Sequence, residues 1–101
     1  LTLEELQDAC TCLIFRNLLP VGLFSYRRNG PDAQIVIDFM IPEYRDFKAG
    51  RYLYRTKRMF FKEQGIKRFL ATARHPSQPK YYLKNGFVRA AGAPDGFVNE
   101  L

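Results

Sequence analysis

The sequence predicts an α+β domain built on a mixed, mostly antiparallel sheet. Three strand-like runs come first, at about 10–16, 21–27 and 33–41, and short turns join them as in an antiparallel meander. The apolar period then changes at Pro42, and helical spacing runs from Ala49 to Gln64. A further apolar run at Ile66 to Ala73 completes a strand–helix–strand crossover. Strands early and helices late, with one such crossover, define the class.

Taken in order, Leu3 to about Ala9 reads as a short helix or an entering tail. Cys10 to Arg16 is rich in strand formers, and Asn17 to Pro20 supplies a turn. Val21 to Arg27 is the second strand, stopped by Asn29-Gly30-Pro31-Asp32. Ala33 to Ile41 is apolar except for Gln34 and Asp38, a composition that suits a central strand buried on both faces. In the helix after Ala49, apolar residues fall at Leu53, Met59 and Phe60 with Tyr52, Tyr54 and Phe61 beside them, and it ends before Gly65. His75-Pro76-Ser77 opens a shorter helix to Asn85, closed by Gly86. Phe87 to Ala91 reads as a strand, Ala93-Pro94-Asp95-Gly96 as a turn, and Phe97 to Leu101 as a final strand. No internal repeat or low-complexity tract interrupts the pattern.

The totals bound what such a domain can be. A chain of 101 residues holds one compact domain, and 47% hydrophobic content with nine Phe and six Tyr is ample for a core. The opening Leu1-Thr2-Leu3-Glu4-Glu5 lacks a basic stretch followed by an apolar run, so it is no signal peptide. It reads as a cut in a longer chain, with residues expected upstream. The apolar runs fall far short of the roughly 20 residues that span a bilayer. Any membrane tether is expected upstream, and the chain is expected in the cytoplasm, either free or as the cytoplasmic part of a longer protein. Cys10 and Cys12 read as reduced core thiols, and with His75 the one histidine no zinc site is expected. The net charge of +6 favours an anionic partner: nucleic acid, an acidic membrane surface or a polyphosphate cofactor.

The segment Ile35 to Leu53 carries the chemistry. A strand leads through a short glycine-containing loop into the long helix, and a helix N-terminus offers unpaired N–H groups and partial positive charge to a phosphate. Lys48 and Arg51 add full charges beside it. Arg51, Arg55, Arg58 and Lys62 form a basic stripe along the helix, the pattern of a solvated face.

These residues resemble the GNAT superfamily of N-acyltransferases. Its acyl-CoA motif runs strand, Pro-x-Tyr-Arg, then Arg/Gln-x-x-Gly-x-Gly/Ala at the helix start. Pro42-Glu43-Tyr44-Arg45 matches the lead-in, and Arg45, Ala49 and Gly50 fit the loop, while Lys48 stands where the family has its first glycine. Downstream, Tyr82-Leu83-Lys84-Asn85-Gly86-Phe87 is similar to the family's later helix, with His75 in place of an Asn seven residues before Tyr82. Val21-Gly22 also suits the family. The likeness covers about Cys10 to Val88; the family's first strand and leading helices have no evident counterpart.

The resemblance implies a GNAT-like fold with its N-terminal helices missing or truncated, acetyl-CoA or CoA as cofactor, and acyl transfer to an unidentified amine by direct attack. It further implies that strand groups of Phe39, Met40 and Ile41 meet the pantetheine arm. Loop groups of Arg45, Asp46, Phe47, Lys48, Ala49, Gly50 and Arg51 would hold the pyrophosphate, with His75 a further cofactor contact. Tyr82 matches a tyrosine that protonates the departing thiolate, its phenol being protonated at neutral pH; the alternative is a tyrosine that packs the short helix on the sheet. Asp38 is either a desolvated general base or the structural partner of an Arg, and Glu43 is a second carboxylate beside it. Besides an acetyltransferase, the sequence admits a non-catalytic GNAT-like module that binds CoA or a partner. A basic nucleic-acid-binding domain is the third reading; it lacks a recognised motif, and its aromatics look committed to the core.

Overall fold

A computed structural model describes residues 1–7, 10–44 and 49–101. Among them seven strands form one sheet: β1 (Thr2–Glu5), β2 (Thr11–Arg16), β3 (Leu19–Asn29), β4 (Asp32–Met40), β5 (Arg68–Thr72), β6 (Val88–Arg89) and β7 (Gly96–Glu100). Their order across the sheet is β1-β2-β3-β4-β5-β7-β6. Only the β4–β5 pair is parallel. The helical connection between these two strands comprises α1 (Ala49–Arg51), a π-helical turn at Tyr52–Thr56 and α2 (Arg58–Glu63). A second helix, α3 (Gln78–Lys84), connects β5 to β6. The α+β, mostly antiparallel architecture is the one the element order predicts, and no helix of the described residues is long and apolar enough to cross a membrane.

The opening segment corrects one expectation. Thr2–Glu5 is neither helix nor tail but an edge strand, with Leu3 opposite Ile14 and the Leu6 amide donating to the Thr11 carbonyl at 2.8 Å. The free edge of β2 offers a full ladder of partners, and that pairing outweighs the modest helical preference of Leu-Glu-Glu-Leu. A strand therefore does precede the three-strand meander.

One face of the sheet holds the core. Phe24 lies at its centre, its ring 5.7–5.9 Å from those of Tyr26, Tyr54, Phe61 and Phe69. Tilted or edge-to-face, these pairs add about 0.5–1.5 kcal/mol each beyond their burial. Cys12 is buried on this face and Cys10 partly buried, and neither is in a disulfide.

The central strand β4 is not buried on both faces. Ala33, Ile35 and Met40 are buried, but Phe39 is 46% exposed and Ile37 nearly as open. The reason is a β-bulge. Tyr26 pairs with Ile35 and Ser25 with Ile37, so Val36 is the extra residue. An extra residue resets the two-residue alternation. Asp38 and Met40 therefore share the helix-side face with Ile35, and Ile37 and Phe39 turn to the opposite one.

The helix after Ala49 also departs from simple spacing. The π turn inserts one residue, which brings Tyr54 and Phe61 into the core and leaves Met59 60% exposed. Gly65 and Gly86 follow the two helices at φ of 86° and 93°, the left-handed conformation that glycine adopts without a Cβ clash.

Candidate active site

The site arises where two parallel strands part. β4 and β5 pair only at Asp32, Ala33 and Gln34, opposite Arg68, Phe69 and Leu70. Beyond Gln34 they diverge, and a cavity of about 980 Å³ opens beside the second half of β4. Its walls are Asp38, Phe39 and Met40 from β4, and Ala49, Gly50, Arg51 and Arg55 from the helical connection. His75, Ser77, Gln78, Tyr81, Tyr82, Lys84 and Asn85 close the other side.

Asp38 is the one carboxylate among the described lining residues. Its Oδ2 accepts hydrogen bonds from the Tyr54 hydroxyl at 2.6 Å and the Tyr81 hydroxyl at 2.8 Å. Burial raises its pKa above the ordinary carboxylate value, and the two hydroxyl donors oppose that rise. Among the described residues no Arg pairs with this aspartate; tyrosines hold it. Tyr54 and Tyr81 are themselves held protonated, first by burial and then by the neighbouring carboxylate.

Tyr82 packs its ring against Phe87 and Phe97 at 5.1 and 5.4 Å, yet it also lines the cavity. Burial, with a smaller contribution from Asp38, raises its pKa, while Arg74 pulls the other way. Its hydroxyl has no hydrogen-bond partner among the described residues. Tyr82 is thus the packing residue of one sequence alternative, and the same side chain also lines the cavity.

Arg51, Arg55 and Lys84 bring three cations to the walls, and none has an ion pair among the described residues. The basic stripe is therefore not one uniform solvated face. Arg51 and Arg55 meet the cavity, whereas Arg58 donates to the Glu100 carbonyl at 3.0 Å. Gly50 allows α3 to approach the helix start, since a Cβ there would run into the Asn85 carboxamide. Asn85 is fixed in turn by its bond to the Tyr81 carbonyl at 2.8 Å.

Of the residues singled out from sequence, Asp38, Phe39, Met40, Ala49, Gly50, Arg51, His75 and Tyr82 meet at this cavity. Ile41 does not line it; its amide donates to Val21 at 2.9 Å. Glu43 is exposed in a 3-10 turn at Pro42–Tyr44. Arg45, Asp46, Phe47 and Lys48 lie outside the described residues. His75 bonds Ser77 through Nδ1 at 3.0 Å. Sequence reasoning missed Tyr54 and underweighted Tyr81. Arg55 was already visible four residues beyond Arg51, but nothing in the sequence marked Asn85 or Gln78.

No protein-family model matches the chain, and no curated protein matches it in sequence. Solved structures do match. The PaiA N-acetyltransferase of Thermoplasma acidophilum, in complex with coenzyme A, superposes with a TM-score of 0.74 at 19% identity over 90% of this chain. A GNAT-family acetyltransferase from Staphylococcus aureus Mu50 gives 0.74 at 21% identity over 90%. The N-acetylglutamate synthase of Neisseria gonorrhoeae, complexed with coenzyme A and L-arginine, gives 0.75 at 15% identity over 94% of this chain and 25% of its own. The chain spans 60% and 66% of the length of the first two. It has the GNAT acetyltransferase fold.

Proposed function

We propose that the chain is an acyl-CoA-dependent N-acyltransferase, which moves an acetyl group from acetyl-CoA to an amine by direct attack. The observation that carries this reading is the meeting at one cavity of a GNAT fold of three cations and a tyrosine hydroxyl, none with a partner among the described residues, and a carboxylate. The residues fit the group. Arg51, Arg55 and Lys84 supply charge for a polyphosphate, and Ala49 and Gly50 of the first helical turn line the same cavity. Acetyl-CoA, when bound, supplies an activated thioester.

An amine reaches the site as an ammonium ion and must shed a proton before it attacks. Asp38 takes that proton and returns it to solvent. The freed nitrogen lone pair forms the new C–N bond while the C–S bond breaks onto sulfur. Tyr82 gives its hydroxyl proton to that sulfur and recovers one from the acylated nitrogen, so the charges balance. A phenol whose pKa burial raises keeps its proton at neutral pH and is present as a donor. Because a thiol is the stronger acid, at about 8.5, the transfer is uphill by itself. It is drawn forward by the proton that Tyr82 recovers from the far more acidic acylated nitrogen.

The test is thermal unfolding of the chain with acetyl-CoA, CoA and short nucleic acids, followed by acetyl-transfer assays over an amine panel. Acetyl-CoA at 100 times its Kd should stabilise the fold by about 2.7 kcal/mol. In a chain of this size that is a rise in Tm of roughly 10 °C or more. No shift with any CoA species at millimolar concentration would sink the proposal. A shift without turnover on any amine would leave a CoA-binding module instead.

A further inference from the structure

We propose that Tyr54 and Tyr81 are positioning residues that clamp Asp38 through Oδ2 alone, so that Oδ1 is the atom that meets the incoming amine. The inference rests on the acyltransferase reading and assigns two residues which that reading leaves without a role.

The geometry is specific. The two donors come from different elements, Tyr54 from the π turn and Tyr81 from α3, and both reach the same oxygen, at 2.6 and 2.8 Å. A carboxylate has about four acceptor positions spread over its two oxygens. Here both occupied positions are on Oδ2, and Oδ1 has no partner among the described residues. Oδ1 is not among the buried polar atoms left without a partner, so among the described residues it stays open to water or to a ligand, whereas Oδ2 is committed to the two hydroxyls. The Val36 bulge turns Asp38 toward the helices, where both hydroxyls can reach it. Tyr54 is 1% exposed and wedged between Phe69 and Phe87 at 5.7 and 5.0 Å, so its hydroxyl is a fixed point.

The clamp also sets when Asp38 can act. Each hydroxyl donates to the ionised form and favours it, against the burial that favours the neutral one. The other titratable and charged groups at the cavity are Tyr82 and Lys84 from α3, Arg51 and Arg55 from the helical connection, and His75 before α3. Phe24, opposite Asp38 on β3, adds no charge. Loss of one donor should make the carboxyl harder to ionise, and activity that needs the ionised form should then fail at a higher pH.

The experiment pairs Tyr81→Phe and Tyr54→Phe with two readings: the carbon-13 carboxyl titration of Asp38 by NMR, and the pH dependence of kcat/KM for acetyl transfer. Tyr81→Phe, at a half-buried position, keeps the test alive if Tyr54→Phe fails to fold. The Asp38 midpoint and the acid limb of activity should both move up by about one pH unit in Tyr81→Phe. The KM for acetyl-CoA should stay unchanged. An active wild type whose Asp38 midpoint does not move in the variant overturns the clamp. A midpoint that moves in a chain with no turnover on any amine supports the clamp and overturns the acyltransferase reading.

Discussion

The two halves of β4 belong to one strand and have opposite duties, and the more apolar half is the more exposed one. From Asp32 to Ile35 the strand lies between β3 and β5, with Ala33 and Ile35 buried beneath the helical connection. From Val36 to Met40 it keeps β3 but has left β5, and three of its apolar residues, Val36, Ile37 and Phe39, are exposed. The divide is the bulge at Val36. Before it the strand builds scaffold; after it the strand builds a cavity wall and delivers Asp38 to Tyr54 and Tyr81. Hydrophobicity along a strand thus does not say which residues will be covered. Ladder partners do, and those are set by segments distant in sequence.

The largest expected effect tests this division directly. Phe69 stands opposite Ala33 in the paired half and meets the rings of Phe24, Tyr54 and Phe61 at 5.7, 5.7 and 5.1 Å. Phe69→Ala should cost about 3–5 kcal/mol, through lost burial and the void left behind. At about 4–8 °C per kcal/mol, Tm should fall by at least about 12 °C. Val36→Thr, at the 42% exposed bulge, should change stability by no more than about 0.5 kcal/mol. Equal losses in the two variants, measured by urea unfolding, would erase the distinction between the halves.

Much of this was legible in the sequence, and what was not has physical causes. Local signals placed the strands, because turn residues such as Asn29-Gly30-Pro31 stop a ladder wherever they occur. Gly65 and Gly86 announced the helix ends. Asp38 and Tyr82 were visible as chemistry-bearing residues in an apolar context. The strand at Thr2–Glu5 was not visible, because its stability comes from β2 and not from its own residues. Tyr54 was visible as an aromatic beside Leu53, but its bond to Asp38 was not, because that contact joins the helical connection to a separate strand. The Asp38 partnership also depends on a bulge, and a bulge is a property of two strands paired out of step.

The next effect concerns how closely the walls around the second half of β4 approach each other. Gly50→Ala would place a methyl group in the space of the buried Asn85 carboxamide, with Cγ at 2.7 Å and Oδ1 at 2.8 Å. Asn85 cannot swing aside without breaking its bond to the Tyr81 carbonyl. The variant should lose about 1–3 kcal/mol. It should also bind CoA more weakly, since α3 carries Tyr81 and Tyr82 away with it. If the clash is the cause, Asn85→Ala should recover at least half of that loss when combined with Gly50→Ala. Strictly additive losses in the double-mutant cycle would show that the two residues do not share the space.

The smallest effect separates the cost of placing Asp38 in this wall from its use there. Asp38→Asn keeps an oxygen that accepts from both tyrosines and removes only the ionisable group. Burial raises the folded pKa of Asp38 above its unfolded value, so the folded chain holds this proton more tightly than the unfolded one. The sign of the linkage follows: the site's contribution to stability is greatest below the unfolded carboxylate pKa. It falls as pH rises through the window up to the raised folded value, then levels off. The penalty is about 1.4 kcal/mol for each unit separating the two pKa values. Asp38→Asn should therefore match the parent at low pH and gain on it steadily across that window. Urea unfolding of both chains from about pH 3 to 8 measures the difference. A gap that stays constant with pH would mean that the second half of β4 holds its carboxylate at no cost, as an exposed surface would, and that the two halves differ less than their pairing suggests.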